Sequence, residues 1–352
     1  MRDYTGETIF IGIDVHKATY SVTAILKGVI IKRDRMNAIP DQFIAYCHKF
    51  FPNANIHTAY EAGFCGFHFH RKLIAKGIHN IVVHASSIEI ASRDRVKTDK
   101  RDSLKIATQL SVGRLKSIHI PTIERESFRA ISRLRENLIR DKTRVGVRIK
   151  SFLNLYGLMA YNDNTRTTRK WIINLLKSIN TNDSDYSFAL RVMGDNWLEI
   201  DDRIKLVETR LKNQAAVEPE LESIYQSSPG IGPTISRILV NELDDMSQFS
   251  NERALFSYTG LTPQEYSSGE HTRQGHISRQ GKPILRKVLI QAAWKAIKKD
   301  TELGKVFEAI SVRAGKKRAI VAIARRLIGK IRACLQKKEV YRYKETLTTN
   351  IV

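Results

Sequence analysis

The residues of this 352-residue chain whose types and spacing could do chemistry are four carboxylates and a few serines. Asp99 and Asp102 stand at the head of Ser103-Leu104-Lys105-Ile106-Ala107-Thr108-Gln109-Leu110, which has helical spacing, so the two acids share one face about a turn apart. Two like charges that close repel each other. Either Lys97, Lys100 and Arg101 neutralise them at a solvated helix start, where acids also suit the helix dipole, or the pair holds a divalent cation. The choice turns on whether other carboxylates reach the same place. Asp14 lies near the end of the branched apolar run Thr8-Ile9-Phe10-Ile11-Gly12-Ile13-Asp14-Val15, and Glu61 ends Ile56-His57-Thr58-Ala59-Tyr60-Glu61. Both runs read as strands. Four carboxylates converging in a basic protein suit a two-metal phosphodiester site, with ions about 4 Å apart.

The elements that must position these acids follow from the pattern. After the first strand, Tyr20 to Leu26 alternates as a second, and Lys27-Gly28 turns into a third, Val29 to Arg33. A helix from about Pro40 to Phe50, the strand ending on Glu61, a helix from about Phe67 to Lys76, a strand from Asn80 to His84 and the helix of Asp99 and Asp102 complete the order β-β-β-α-β-α-β-α. The first three strands form an antiparallel meander, and helices between the later ones imply crossovers and parallel pairing. In such sheets functional groups gather at the carboxyl ends of strands, where Asp14 and Glu61 fall.

Fifty-nine Lys and Arg against 36 Asp and Glu give a net charge of +23, which points to a polyanionic partner, with nucleic acid the leading choice. Residues 271–352 alone carry 21 basic and 5 acidic side chains. Cys47, Cys65 and Cys334 are scattered with no C-x-x-C pair, which argues against a disulfide framework and a thiolate zinc site and fits a reducing cytosol. No apolar run approaches the roughly 18 residues that span a bilayer, and the N-terminus runs straight into a strand, so a cytoplasmic protein without a membrane partner is expected.

Beyond residue 115 the character changes. Ile131, Leu134, Leu138, Val145, Ile149 and Leu153 give a long helix with arginines between them, and Ile200, Ile204, Val207 and Leu211 stripe another from Trp197 to Lys212. Around a short helix near Trp171 to Leu176 they suggest an antiparallel coiled-coil arm over 116–220, serving either as a spacer or for oligomerisation. Ser227-Ser228-Pro229-Gly230-Ile231-Gly232-Pro233 lies between two helices. It reads either as a plain turn or as a helix-hairpin-helix whose Gly230 and Gly232 let backbone N–H groups hold a phosphate. Arg273 to Lys282 reads as a basic Gly-rich loop, with Arg273, Arg279 and Lys282 as phosphate contacts. Leu285 to Ala296 and Lys316 to Lys338 read as helices. His16, His68, His70 and His276 have no partner set that suggests a ligand role.

Taken in order, Ile11-Gly12-Ile13-Asp14-Val15-His16-Lys17, Tyr60-Glu61-Ala62-Gly63, Lys97-Thr98-Asp99-Lys100-Arg101-Asp102, Pro229-Gly230-Ile231-Gly232, and Gly260-Leu261-Thr262-Pro263 followed by Ser268-Gly269 resemble the insertion-sequence transposases of the IS110 family. The resemblance spans nearly the whole chain. It implies an α/β plus all-α protein: an RNase H-like (RuvC-like) domain over 1–115, the arm over 116–220, and a mainly helical C-terminal domain over 221–352. It carries the Asp-Glu-Asp-Asp set onto Asp14, Glu61, Asp99 and Asp102, with Mg2+ or Mn2+ as cofactor, and a nucleophilic serine onto Ser268. It further implies donor and target DNA and a non-coding bridge RNA as partners, assembly as dimer to tetramer, and strand exchange through a phosphoserine intermediate. A serine hydroxyl needs activation, which metal ions held by carboxylates can give. From the residues alone Ser267, Ser268 and Ser278 remain open as nucleophiles, since a serine in a Gly-rich loop is usually a turn former. The alternative reading is a junction-resolvase-like nuclease that uses the four carboxylates and water.

Overall fold

The computed structural model describes residues 2–89, 99–158, 165–179, 184–268, 271–278 and 280–343. The chain divides into two units, 1–121 and 122–352.

The first unit is a five-stranded sheet with helices. Its elements are β1 (Thr8–Val15), β2 (Thr19–Leu26), β3 (Val29–Asn37), α1 (Pro40–Phe50), β4 (Asn55–Glu61), α2 (His68–Ala75), β5 (His79–Val83) and α3 (Asp99–Ser111). The strand order is β3-β2-β1-β4-β5. β1 pairs antiparallel with β2 and β2 with β3, whereas β4 runs parallel to β1 and β5 parallel to β4. The expected meander and crossovers are thus present. Lys27 and Gly28 both take positive φ (48° and 81°), as a two-residue hairpin turn requires. Ile9, Ile11 and Ile13 point to a core completed by Phe43 of α1, Phe69 and Leu73 of α2 and Tyr60 of β4, all buried. The opposite face is covered by α3, whose Ile106 and Leu110 pack on Ala59.

The approach of α3 to β1 is set by one residue. A Cβ built on Gly12 would lie 2.2 Å from the carbonyl oxygen of Ser103 and 2.3 Å from the backbone nitrogen of Ala107. Only a residue without a side chain lets the helix backbone lie directly on the strand. A buried hydrogen bond between the hydroxyls of Thr23 and Ser103 (2.9 Å) fixes the helix against β2.

The second unit is mostly helical: α4 (Ile123–Leu155), α5 (Arg169–Ile179), α6 (Asp185–Val217), α7 (Pro219–Gln226), α8 (Pro233–Leu243), α9 (Glu252–Thr259), β6 (Pro263–Ser268), β7 (His271–Ile277), α10 (Pro283–Lys299), α11 (Thr301–Ala314) and α12 (Lys316–Lys337). α4 and α6 run antiparallel. Arg135 pairs with Glu208 (2.5 Å) and Lys142 with Asp201 (2.9 Å), so position rises on one helix as it falls on the other. Their seam holds Val145, Ile149, Leu153, Leu190, Trp197 and Ile200, with Ile172 of α5 packed in. α6 begins twelve residues before the expected Trp197, because Ser184 caps it by accepting from the Ser187 N–H and Gly194 is tolerated under Leu176. The remaining helices enclose a separate core of Leu239, Leu255, Leu289, Ile323 and Leu327. Several elements depart from expectation, among them α9 and β6, which fill stretches with no predicted element. Residues 273–277 are strand rather than loop, in an antiparallel hairpin with β6. α11 fills a stretch with no predicted helix, started by Asp300, whose Oδ1 accepts from the N–H groups of Glu302 and Leu303. Among the described residues no helix is long and apolar enough to cross a membrane.

Candidate functional site

At the carboxyl end of β1 the chain turns through His16, whose N–H donates to the Thr19 carbonyl (2.9 Å). The His16 ring thereby comes to lie between two acids: its Nε2 is 3.1 Å from Asp14 Oδ2 and 3.3 Å from Asp99 Oδ1. One ligand atom from each of Asp14, His16 and Asp99 lies within 4.8 Å of the other two. Asp99 comes from the first turn of α3, which is delivered by its seat on Gly12.

The other two acids of the expected set stand around this group. Asp102 lies one turn further along α3, with Lys105 Nζ 3.7 Å from its Oδ1. It is close enough to act on Asp14 electrostatically. Burial pushes the Asp14 carboxyl above the ordinary 3.8, the His16 ring opposes that shift, and the neighbouring charges of Asp102 and Asp99 add to it. Glu61 is the exposed last residue of β4, one step beyond the aligned pair Ile13 and Tyr60, which makes it the strand neighbour of Asp14. It is not within the tight Asp14–His16–Asp99 group. Arg35 of β3 reaches Asp99 Oδ2 at 4.0 Å, so the outer rim is basic. Lys97 lies outside the described residues, as does the Lys100 side chain.

The donor set suits a divalent cation: carboxylate oxygens in excess and one imidazole nitrogen, within reach of one another. The Asp14 carboxylate, whose burial and like-charged neighbours disfavour ionisation, gains from such an ion.

In the second unit the backbone of Ser268 ends β6, aligned with His271 across the hairpin, and Ser267 aligns with Thr272. The side chains of Ser267, Ser268 and Arg273 lie outside the described set, and so does the whole of Arg279. Ser278 follows β7, its N–H donating to the Thr262 carbonyl at 2.8 Å. Lys282, expected at a phosphate, instead reaches inward: its Nζ is 3.4 Å from Oε2 of the wholly buried Glu242. The same carboxylate accepts from Arg133 Nε of α4 at 2.9 Å and lies 3.9 Å from Arg129. Burial holds the Lys282 amine below its usual range despite Glu242. Glu242 therefore ties the foot of the serine hairpin to the long helix α4.

The loop from Ser227 to Gly232 joins α7 to α8. Gly230 has φ +82°, and a Cβ there would lie 2.4 Å from the Ala292 carbonyl oxygen of α10, so this glycine is required by packing within the protein. Gly232 is extended at the start of α8, with nothing within 4 Å of a Cβ. The Ser227 hydroxyl accepts from the Tyr341 N–H (2.8 Å), which straps the C-terminal segment across this loop.

Sequence reasoning missed His16, Gly12 and Glu242. His16 had a usable signal, since residues two apart at a strand end share a face. Glu242 had none, because its arginine partners lie more than a hundred positions away on α4 and Lys282 lies in a different element.

Comparison with known proteins bears on both units. A DEDD transposase model of the IS110 type matches residues 11–157, and a model described as Transposase IS116/IS110/IS902 family matches residues 222–308. The transposase for insertion sequence element IS1111A of Coxiella burnetii is 25% identical over 279 residues, covering 78% of this chain and 76% of that protein. The transposase for insertion sequence element IS1533 of Leptospira borgpetersenii is 25% identical over 305 residues, covering 82% and 85%.

Proposed function

This chain belongs to the IS110 family of transposases, and on that premise we propose that it cuts and rejoins DNA to move an insertion sequence, with Asp14, Glu61, Asp99 and Asp102 as its metal-holding acids and Ser268 as its nucleophile. The observation that carries the reading is the meeting of Asp14 and Asp99 about His16, at the carboxyl end of β1 where the helix is seated on Gly12. The strand order β3-β2-β1-β4-β5, antiparallel on one side and parallel on the other, supports an RNase H-like (RuvC-like) assignment for 1–115. The antiparallel α4 and α6 support an arm over 116–220. The α7–loop–α8 segment supports a helix-hairpin-helix within a transposase domain over 221–352, in which the Thr234 and Ile235 N–H groups of the first turn of α8, uncapped by any side chain of Gly232, would meet a phosphate.

A divalent cation held by the acids, Mg2+ or Mn2+, supplies neutralisation of the phosphate charge. The chain's own residues do the rest. Asp14 and Asp99 fix the position of the site relative to the sheet, and Arg35 at its rim attracts the anionic backbone. As the Ser268 oxygen bonds to a DNA phosphorus, the P–O ester bond to the departing strand breaks; the hydroxyl proton is lost to water and the departing oxygen takes a proton from water, so the ester is kept as a phosphoserine for rejoining. The hairpin that carries Ser268 is anchored at its foot through Lys282 and Glu242. The surplus of +23 suits donor and target DNA together with a guiding bridge RNA, and a homo-oligomer from dimer to tetramer would let the serine of one copy serve the acids of another.

The test is recombination between two plasmids bearing the element ends and the target, with and without the transcript of the element's non-coding end. Recombinants should require the transcript, Asp14 and Ser268. Strand cleavage that survives Ser268→Ala would replace the serine mechanism with a water-using nuclease. Recombination that survives Asp14→Ala would remove the acidic site from the account.

A further inference from the structure

We propose that His16 is itself a ligand of the cation held by Asp14 and Asp99, through Nε2, and that this nitrogen biases the centre toward Mn2+ over Mg2+. The inference rests on the reading of the acidic cluster as a metal centre. Its own support is geometric. In an octahedral site with ligands about 2.1 Å from the ion, neighbouring ligand atoms lie about 3.0 Å apart. Nε2 of His16 is 3.1 Å from Asp14 Oδ2 and 3.3 Å from Asp99 Oδ1, so the three donors match two edges of such a coordination shell. The same contacts are poor value as hydrogen bonds alone. A ring nitrogen carries at most one proton, which cannot point squarely at two carboxylates on different elements.

The backbone that carries the ring is also placed in advance. His16 lies in the β1–β2 turn, held by its own N–H to the Thr19 carbonyl, and the Ala38 N–H donates to the Ala18 carbonyl behind it (3.0 Å). Asp14 lies in a central strand, and Asp99 is on a helix seated against that strand. Replacing one oxygen by imidazole nitrogen in a carboxylate set favours first-row transition ions over Mg2+, which prefers oxygen throughout.

The experiment uses the full-length, tag-free chain with Mn2+ alone. Pulsed electron paramagnetic resonance of the bound ion should show modulation from one directly coordinated 14N, and that modulation should vanish in His16→Ala. Titration against the free-ion signal should show His16→Ala weakening Mn2+ binding by about tenfold or more, with Mg2+ competition changed much less. Circular dichroism melts of the variant control for folding, and the His16 side chain, 45% exposed, is no core element. Mn2+ bound with no nitrogen modulation in the unmodified chain, but lost in Asp14→Asn, would overturn the ligand role of His16 and leave the metal centre standing. Mn2+ binding equal in the unmodified chain and Asp14→Asn would overturn both.

Discussion

Gly12→Ala is the smallest change that should separate the two halves of the acidic site. The added methyl would sit 2.2 Å from the Ser103 carbonyl oxygen and 2.3 Å from the Ala107 nitrogen, both backbone atoms that no side-chain rotation can move. Ordinary contact begins at 3.4 Å, so α3 must back away from β1 by about 1.2 Å. Overpacking of this kind costs about 1–3 kcal/mol. The cost to chemistry is larger, because Asp99 and Asp102 travel with α3 while Asp14 and Glu61 stay on the sheet. Displacement of about 1 Å at a reacting centre costs on the order of 100-fold in rate, and functional groups tolerate only about 0.5 Å. Thermal melting and Mn2+ titration of the metal-free chain, followed by strand cleavage of element-end DNA, measure the three effects. Melting should fall modestly, and metal affinity and cleavage should fall steeply. Gly12→Ala with unchanged Mn2+ affinity and cleavage would refute the claim that this glycine positions the site.

Three further perturbations follow from the same structure. Asp14→Asn should raise the melting temperature of the metal-free chain at pH 7, because burial and the charges of Asp102 and Asp99 hold the Asp14 carboxyl above its ordinary 3.8 in the fold. A raised acid costs stability above its unfolded pKa, so the gain should vanish below about pH 3.8, and equal melting at pH 7 would contradict it. Glu242→Gln should cost about 3 kcal/mol, the lower end for breaking a buried ion pair, because Arg133 and Lys282 still reach water. Burial alone would lift the Glu242 carboxyl, but the hydrogen bond from Arg133 and the charges of Lys282, Arg133 and Arg129 outweigh it and hold it below 4.5. The stability it contributes is therefore present above about pH 4.5 and lost as pH falls below that, and the variant and the unmodified chain should converge in acid. Gly230→Ala should destabilise the second unit through strain at φ +82° and the clash with the Ala292 carbonyl, with binding of element-end DNA lost only as far as folding is lost. A folded variant that fails to bind would restore a direct DNA role for this glycine.

The first unit was legible because its strands are short runs of branched apolar residues and its acids fall where those runs stop. Ile9 to Asp14 and Ile56 to Glu61 carry both signals, and the helical spacing after Asp102 places the other pair. The β1–α3 contact was not legible. A glycine in a strand has several readings, and only the seated helix selects one. The second unit was legible where apolar stripes recur, as at Leu285, Val288, Leu289 and Ala292. It was opaque at β6 and β7, whose residues are mostly polar and offer no alternation, whereas α11 carries a local start signal in the Asp300 cap. Lys282 is instructive in the same way. A lysine in a basic loop reads as a phosphate contact, yet tertiary structure turns it toward Glu242, a partner that local pattern cannot disclose.

The central claim is that the acidic site and a serine of the second unit act on the same phosphate. The most direct measurement is to incubate the protein with Mg2+, element-end DNA and the non-coding transcript, then digest and map any covalent protein–DNA adduct by mass spectrometry. The account predicts a nucleotide joined through phosphate to Ser268, absent without divalent metal and absent in Asp14→Asn. Cleaved DNA with no adduct at any serine would contradict it.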